Sequence, residues 1–445
     1  MSSRRDVLRG LAAAICAAPF WAPSSAGARG RTPYGGTLRL HLPFALEAID
    51  PHDLYDLDAA VLGGALFDSL FAVDERGRPY ATLAEGLPEP TPTGLKVMLR
   101  AGLKSAAGRS LEASDLELSL QRASRGGARL LLHPFGPPKR VAGRPGGVLF
   151  PRGEPQALAR ALASPLTAVV PKGFQPRRPD GTGPFACTPT ANGLVLRRNA
   201  RAARGGGFLD AIDARRSPDL AAALRAFEAN EADLGWLASG LHRARRRARQ
   251  LDAGTLGWVV MATGRQLGPW AAPGVAQTIL DEIPLGSLSA LGLMVPAAAP
   301  PAARPWRGPA TELLVDARTP QLLAIAHALA EALGGGGSGI TVAPVPSATL
   351  LAKRTTGDYG LLLDFVRVIG AEPGDDARAL LTAASAGAGG GQLDTTMSFS
   401  SREPYGGVAR RLSLGVVGAL RLRGAHLDAF AGLDRWQLGE VYAHP

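Results

Sequence analysis

The chain is poor in lysine, cysteine and histidine, and each shortage narrows what it can do. Only 5 of its 49 basic residues are lysine, so 44 are arginine. With 56 glycines alongside, the formal net charge of +11 reads as compositional bias rather than a built basic surface. Such charge attracts anions non-specifically. No nucleic-acid reader motif accompanies it, so nucleic acid is not expected as a partner. The densest basic run, Arg243 to Arg249, lacks interleaved aromatics for base stacking and reads as a solvated helix face. The 7 histidines are scattered, with no pair at metal-ligand spacing. A nucleophile elbow, a phosphate loop and a zinc-protease helix are also missing. Gly334 to Gly339 formally satisfies G-x-G-x-x-G, but it follows a helix pattern and precedes a strand, the reverse of a pyrophosphate cradle, and reads as a connector. No catalytic residue, metal or cofactor is therefore assigned, and an enzyme is not expected.

Long apolar runs are equally scarce. Gly10 to Ala22 is too short for a spanning helix, which needs about 20 apolar residues. The stretch 285–303 is broken by Pro296, Pro300 and Pro301. Ser3-Arg4-Arg5-Asp6-Val7-Leu8-Arg9 resembles a twin-arginine export motif, and Ala26-Gly27-Ala28 fits a small-residue cleavage site. Residues 1–28 then read as a signal peptide, and the expected location is the periplasm. Cys16 falls inside the leader without the small preceding residue a lipoprotein motif wants, because Ile15 stands there. Cys187 remains alone and cannot form an internal disulfide, so an apolar core must supply the stability.

What is present is a regular alternation of strand and helix patterns. Leu38, Leu40 and Leu42 alternate with Arg39 and His41, the period of a half-buried strand. A helix is expected over 58–70, and another starting at Ser114 as N-cap. Ser217 and Pro218 read as the cap and first position of a third. Further on, a strand at 312–315, a helix from Thr319-Pro320, a strand at 339–345, a helix over 347–356 and a strand at 359–365 follow one another. That rhythm predicts a parallel sheet with right-handed crossovers. Trp258 to Thr263 reads as a buried strand, with Trp258 and Trp436 as core residues.

The order of motifs carries more than the rhythm does. Gly36-Thr37-Leu38-Arg39-Leu40, Ile49-Asp50-Pro51-His52, Leu66-Phe67-Asp68-Ser69-Leu70, Leu83-Ala84-Glu85-Gly86-Leu87, Leu95 to Lys104 and Leu118 to Ala123 appear in succession. Gly181-Thr182-Gly183-Pro184-Phe185 comes after Val170-Pro171-Lys172, its glycines read as permitting unusual backbone angles. This series resembles the family 5 extracellular solute-binding proteins, the peptide- and oligopeptide-binding receptors of ABC importers. The resemblance runs over nearly all of 35–445 and is strongest at 35–123 and 311–365.

The resemblance implies an α/β, two-lobed periplasmic-binding-protein fold, class II-like, with an extra small subdomain in the first lobe. Lobe I would span 33–255, including an inserted subdomain at about 124–180. Lobe II would span 256–400, and 401–445 would return to lobe I, with hinges near 256–264 and 396–408. Ligand-facing candidates implied by the family's motifs are Thr263, Arg265 and Trp270 after the crossing strand, and Asp364 and Glu372 after the last parallel strand. The acids would hold a ligand's amino group, and the bland alternative is a solvated loop with Asp364 at a strand end. His52 reads as making a local hydrogen bond in its turn. The implied partners are a small peptide or peptide-like ligand, the permease subunits of the inner membrane and the twin-arginine export machinery, with the receptor itself a monomer. Eroded motifs near Ala200 and Thr263 leave a second reading open, a degenerate receptor-like protein acting as sensor or scaffold without transport.

Overall fold

A computed structural model describes residues 34–74, 76–143, 146–238, 248–271, 306–334, 339–370, 378–379, 407–419, 422–423 and 442–443. Strand β1, Thr37–Leu42, forms as its alternation predicts: Leu38, Leu40 and Leu42 are fully buried. Each such leucine contributes roughly 2 kcal/mol of apolar burial. Helix α1 is Leu57–Leu66, shorter at its far end than the expected 58–70. Asp56 caps it by accepting from the Ala59 amide, and the chain turns extended at Phe67. Two short strands follow, β2 Phe71–Val73 and β3 Pro79–Ala81, then β4 Glu89–Thr91 and β5 Gly94–Met98.

Helix α2, Ala113–Arg125, starts one residue before Ser114. Glu112 is the N-cap, and the amide of Glu112 is held by Asp115 at 2.8 Å, a reciprocal capping box that a reading from serine alone missed. A short helix α3, Arg129–Leu132, strands β6 Lys139–Val141 and β7 Gly147–Phe150, and helix α4, Pro155–Ala161, complete a compact layer. Strands β4, β5, β7 and β6 form one small sheet. Leu116 and Leu120 of α2 share its core with Val97, Val148, Phe150 and Leu158. The small sheet takes its first two strands from before residue 124, where the sequence reading begins the inserted subdomain.

The chain returns to the first sheet through the turn 181–185. Gly181 and Gly183 are needed for close approach rather than for unusual angles: a Cβ at Gly181 would lie 2.2 Å from the Leu66 carbonyl oxygen, and one at Gly183 2.6 Å from the Leu66 carbonyl carbon. Neither glycine has a positive φ. Thr182 donates to Asp68 at 2.8 Å, and Arg204 pairs with the same carboxylate at 2.7 Å, locking the turn to the end of α1.

Strands β8 Phe185–Thr190, β9 Gly193–Arg198 and β10 Ala211–Arg216 run on, followed by helix α5, Leu220–Glu228, and β11, Leu234–Ala238. The cap of α5 is Asp219, accepting from Ala222 at 2.6 Å, not Ser217, whose amide instead donates to the Leu42 carbonyl. Of the arginine run expected on a helix, residues 243–247 lie outside the described residues, and Arg249 is in the next strand.

That strand, β12 Ala248–Thr263, is long and joins two halves of one sheet. Strand β13 Thr311–Asp316, helix α6 Pro320–Gly334, strand β14 Ile340–Val345, helix α7 Ser347–Thr356 and strand β15 Leu361–Arg367 follow as the rhythm predicts. β13 pairs in parallel with both β14 and β15. Tyr359 and Gly360 stay in the preceding turn, and β15 runs two residues further than expected, buried throughout. The last long strand, β16 Gly407–Ala419, pairs antiparallel with β12 and with β11. The ten strands therefore lie in the order β14-β13-β15-β12-β16-β11-β1-β10-β9-β8. β1, β8, β9, β10 and β11 make one half, β13, β14 and β15 the other, and β12 with β16 passes between them. Trp258 is on β12, packed partly against the small-sheet core, and Trp436 lies outside the described residues.

Candidate functional site

A cleft of about 610 Å³ opens between three stretches far apart in sequence. One wall is the turn from Asp50 into the first turn of α1, and a second is the C-terminal end of α2 with Arg122, Arg125 and Gly126. The third comes from the other half of the sheet: Asp316 and Arg318 at the end of β13, Leu322 on α6, Leu351 and Arg354 on α7, and Asp364 on β15. The size suits a small-molecule or short-chain ligand, for which pockets of about 300–1,000 Å³ are usual.

The turn is built from acids. Asp50, Asp53, Asp56 and Asp58 fall within nine residues, and all of them line the cleft. Asp50 pairs with Arg122. Asp56 accepts from the amides of Asp50 at 2.7 Å and Ala59 at 2.8 Å. Burial and the neighbouring Asp53 push its carboxyl up to about 7 despite those bonds. Asp58 is buried, accepts from the Leu46 amide at 2.8 Å, and burial holds its carboxyl well above the ordinary range. Asp53 is reached by water yet enclosed by protein on most sides, so desolvation raises its carboxyl too, and its Oδ1 accepts from the Tyr55 amide at 2.9 Å.

His52 makes the expected local bond, its amide donating to Asp50 Oδ1 at 3.0 Å, and its ring adds two long-range ones. Its Nε2 donates to the Ala168 carbonyl at 2.7 Å, and its Nδ1 accepts from Arg122 at 3.1 Å. Those partners require the neutral Nε2–H tautomer. Burial agrees, pushing the ring down to about 4.

Two arginines from the second half reach across. Arg354 lies 3.5 Å over the Tyr55 ring and pairs with Asp364 at 2.5 Å. Burial pushes Asp364 up to about 6 while attraction to Arg354 pulls it back, and the guanidinium itself is raised by Asp364 against its own desolvation. At neutral pH both are charged, because an arginine does not release its proton. Arg367, fully enclosed, donates to the carbonyls of Pro51 and Asp53 at 3.2 Å and of Ala59 at 3.1 Å. The acidic turn is thus fixed by cations from the opposite half of the sheet.

The residues expected from motif order are only partly brought together. Asp364 lines the cleft with its carboxylate committed to Arg354. Thr263 ends β12 opposite Leu361, and Arg265 donates its amide to the Gly357 carbonyl at 2.9 Å; neither is among the described lining residues. Trp270 lies at the end of the 3₁₀ segment Arg265–Ala271, and Glu372 lies outside the described residues. Asp53, Tyr55, Asp58 and Arg354 were missed. The spacing of acids through 50–58 was the available signal, and nothing in sequence marked Arg354 apart from any cation in a helix's last turn.

No family model matches the chain. No curated protein sequence matches it either. Solved structures do. The periplasmic binding protein DppA of Helicobacter pylori, associated with an ABC transporter and bound to the peptide STSA, is 15% identical, covering 93% of this chain and 99% of its own at a TM-score of 0.70. The oligopeptide-binding protein AppA of Bacillus subtilis, bound to a nonapeptide, is 14% identical over 93% of this chain and 100% of its own, with a TM-score of 0.69. AgaA of A.tumefacien R10, bound to agropinic acid, is 16% identical over 92% and 99%, with a TM-score of 0.65. Likeness at such identities establishes the fold alone: an α/β, two-lobed periplasmic-binding-protein fold, with the small sheet as its extra subdomain. Among the described residues no helix is long and apolar enough to cross a membrane.

Proposed function

We propose that this chain is the substrate-binding receptor of an ABC importer. It takes a peptide or peptide-like solute between its lobes and delivers it to a permease in the inner membrane. The observation that carries the reading is the cleft itself, walled on one side by the acidic turn and on the other by Arg318, Arg354 and Asp364, across the β12–β16 passage. A ligand held there touches both halves, so the closed arrangement gains contacts that the open one lacks. The receptor works by binding, without turnover, as a monomer in the periplasm after twin-arginine export and removal of residues 1–28. Lobe I is 33–255, lobe II 256–400, and 401–445 returns to lobe I. Asp364 contributes by orienting Arg354 in the cleft wall, with Glu372, Trp270, Thr263 and Arg265 as further ligand-facing positions.

The test is a thermal-shift screen of residues 29–445 against peptide, opine, sugar and metal-chelate pools. A ligand at a hundredfold excess over its Kd stabilises the folded chain by about 2.7 kcal/mol. A rise in melting temperature with one pool and not the others is the expected result. Silence across every pool would remove the transport reading and leave a receptor-like scaffold.

A further inference from the structure

The acidic turn and the far wall of the cleft touch each other directly through one side chain. Arg354, on α7 of the second half, lays its guanidinium 3.5 Å over the ring of Tyr55, on the turn of the first half. Asp364, on β15, takes one end of that guanidinium at 2.5 Å and so fixes the plane in which it meets the ring. Tyr55 is held in turn: its amide donates to Asp53 at 2.9 Å, and its ring packs against the small-sheet core. A cation is drawn to an aromatic face more strongly when water is kept away, and Arg354 is buried. Arg318, at the end of β13, adds a longer-range pull. It pairs with Asp316 on its own half and lies in the field of Glu47, Asp56 and Asp58 across the cleft.

The contact is built so that it can be broken. Arg354 Nε is buried and has no hydrogen-bond partner among the described residues, a cost that is relieved only when water reaches it. Parting the guanidinium from the ring would open Nε to water while Asp364 keeps the charge paired. The gain at Nε offsets the loss at the ring, so the joined and parted arrangements lie close in free energy, as a switch requires. Further along the same strand the two halves are fastened. Arg367 donates to the carbonyls of Pro51, Asp53 and Ala59, and its amide donates to the Leu54 carbonyl at 2.9 Å. Ser164 donates to the Ile369 carbonyl at 2.5 Å, and Val366 and Ile369 are buried in the small-sheet core. The end of β15 is therefore tied to the first half, while α7 meets that half at the Tyr55 ring.

We propose that Arg354 and Tyr55 form a latch that closes the two halves on each other without a solute, and that β15 beyond Asp364 is the pivot on which they part. This goes beyond the receptor reading, because it concerns how the lobes close whatever they bind. Entry of a solute then waits on the opening of the latch.

Spin labels on the two rims read the outcome directly. The chain carrying Cys16→Ala and Cys187→Ala is labelled at Arg177→Cys, next to Pro176 in one wall of the cleft, and at Ala352→Cys, next to Leu351 in the other. Both positions are exposed. Double electron–electron resonance gives the distance distribution across the cleft with no ligand added. The expected result is a distribution dominated by a short component, which Tyr55→Leu shifts toward a longer one by at least about tenfold in their ratio. Tyr55→Phe, which keeps the aromatic face, should retain the short component. Leucine preserves the packing on the small-sheet core and leaves Arg354 paired with Asp364, so the distances should change while the melting temperature changes little. A merely structural ring would do the reverse. Should Tyr55→Leu misfold, the double replacement Arg354→Met with Asp364→Leu removes the cation instead and is read in the same way. A long distribution in the unsubstituted latch, one that Tyr55→Leu leaves unchanged, or a Tyr55→Phe as open as the leucine variant overturns the inference. Silence in the ligand screen would end the receptor reading without altering these distances, so the two fail separately.

Discussion

Arg354 shows how one side chain can be unreadable in sequence and central in the fold. In sequence it is a cation in the last turn of a helix, a position where cations favour the helix dipole and need no other reason. In the structure it is buried, flat over Tyr55 and paired with Asp364, so a group from α7 joins the acidic turn to β15. Replacing it by alanine would leave the Asp364 carboxylate buried without its cation. Arg354→Ala should therefore destabilise the chain by about 3–5 kcal/mol, whereas the double replacement Arg354→Met with Asp364→Leu should cost much less. Urea unfolding of both variants checks this, and equal losses would mean that the pair is not coupled. The position of Asp364 near the cleft was legible from motif order, but its partner was not, because a pairing between helix and strand leaves no local pattern. Gly181 and Gly183 teach a related point. Their presence was legible, but the reason was misread as backbone freedom, since only the fold brings the Leu66 carbonyl against them.

Elements were legible where periodicity is strong and local. The β13–α6–β14–α7–β15 unit emerged nearly at its expected bounds because each piece buries a clean stripe: Leu322, Ile325, Ala326, Leu329 and Leu333 on α6, for example. Helix starts were less legible, since serine, aspartate and glutamate compete for the cap. At α2 the decision falls to Asp115, which a reading from Ser114 ignores. One carboxylate oxygen of Asp115 holds the Glu112 amide at 2.8 Å, and the other holds the Lys172 amide at 2.7 Å. The same residue thus starts the helix and ties down the irregular segment 168–172 before the 181–185 turn, aided by Ser119, whose hydroxyl accepts from the Val170 amide at 3.0 Å. Asp115→Ala should cost about 2 kcal/mol, a cap plus a buried amide left without an acceptor. Asp115→Asn should recover about half, because an amide oxygen can serve only one of the two donors well. Chemical denaturation of the pair distinguishes this from a simple cap, for which asparagine would recover nearly everything. The long β12–β16 pairing was the least legible element of all. Its partners are remote in sequence, and neither strand alone says which edge it meets.

At the scale of the molecule, the two halves are joined across a cleft whose carboxyls are held above their ordinary range, and this makes stability depend on pH. Asp56 reaches about 7 and Asp364 about 6, with Asp53 and Asp58 raised in the same direction, all chiefly by burial. Between about pH 4 and 7 the folded chain keeps protons that the unfolded chain has released, so these groups cost stability as pH rises through that window. His52 acts in the opposite sense. Pushed down to about 4 by burial, it costs stability as pH falls below the ordinary histidine range, and His41 shares its direction. The acids win, because Asp56 is displaced further than His52 and three other carboxyls add to it. The exposed Asp74 and Asp358, held low by bonds to Arg78 and Lys353, titrate below the window. The ligand-free chain should therefore melt higher at about pH 5.5 than at about pH 8, by an amount on the order of 1–2 kcal/mol of stability. Asp56→Asn, which still caps α1, should flatten that dependence, and calorimetry at the two pH values reads both. A chain that melts higher at pH 8 would mean that Arg318, Arg354 and Arg367 already neutralise the turn. The cleft would then have no charge left for a ligand to satisfy. The opposite outcome leaves the empty cleft least stable under the conditions in which its carboxylates are ionised.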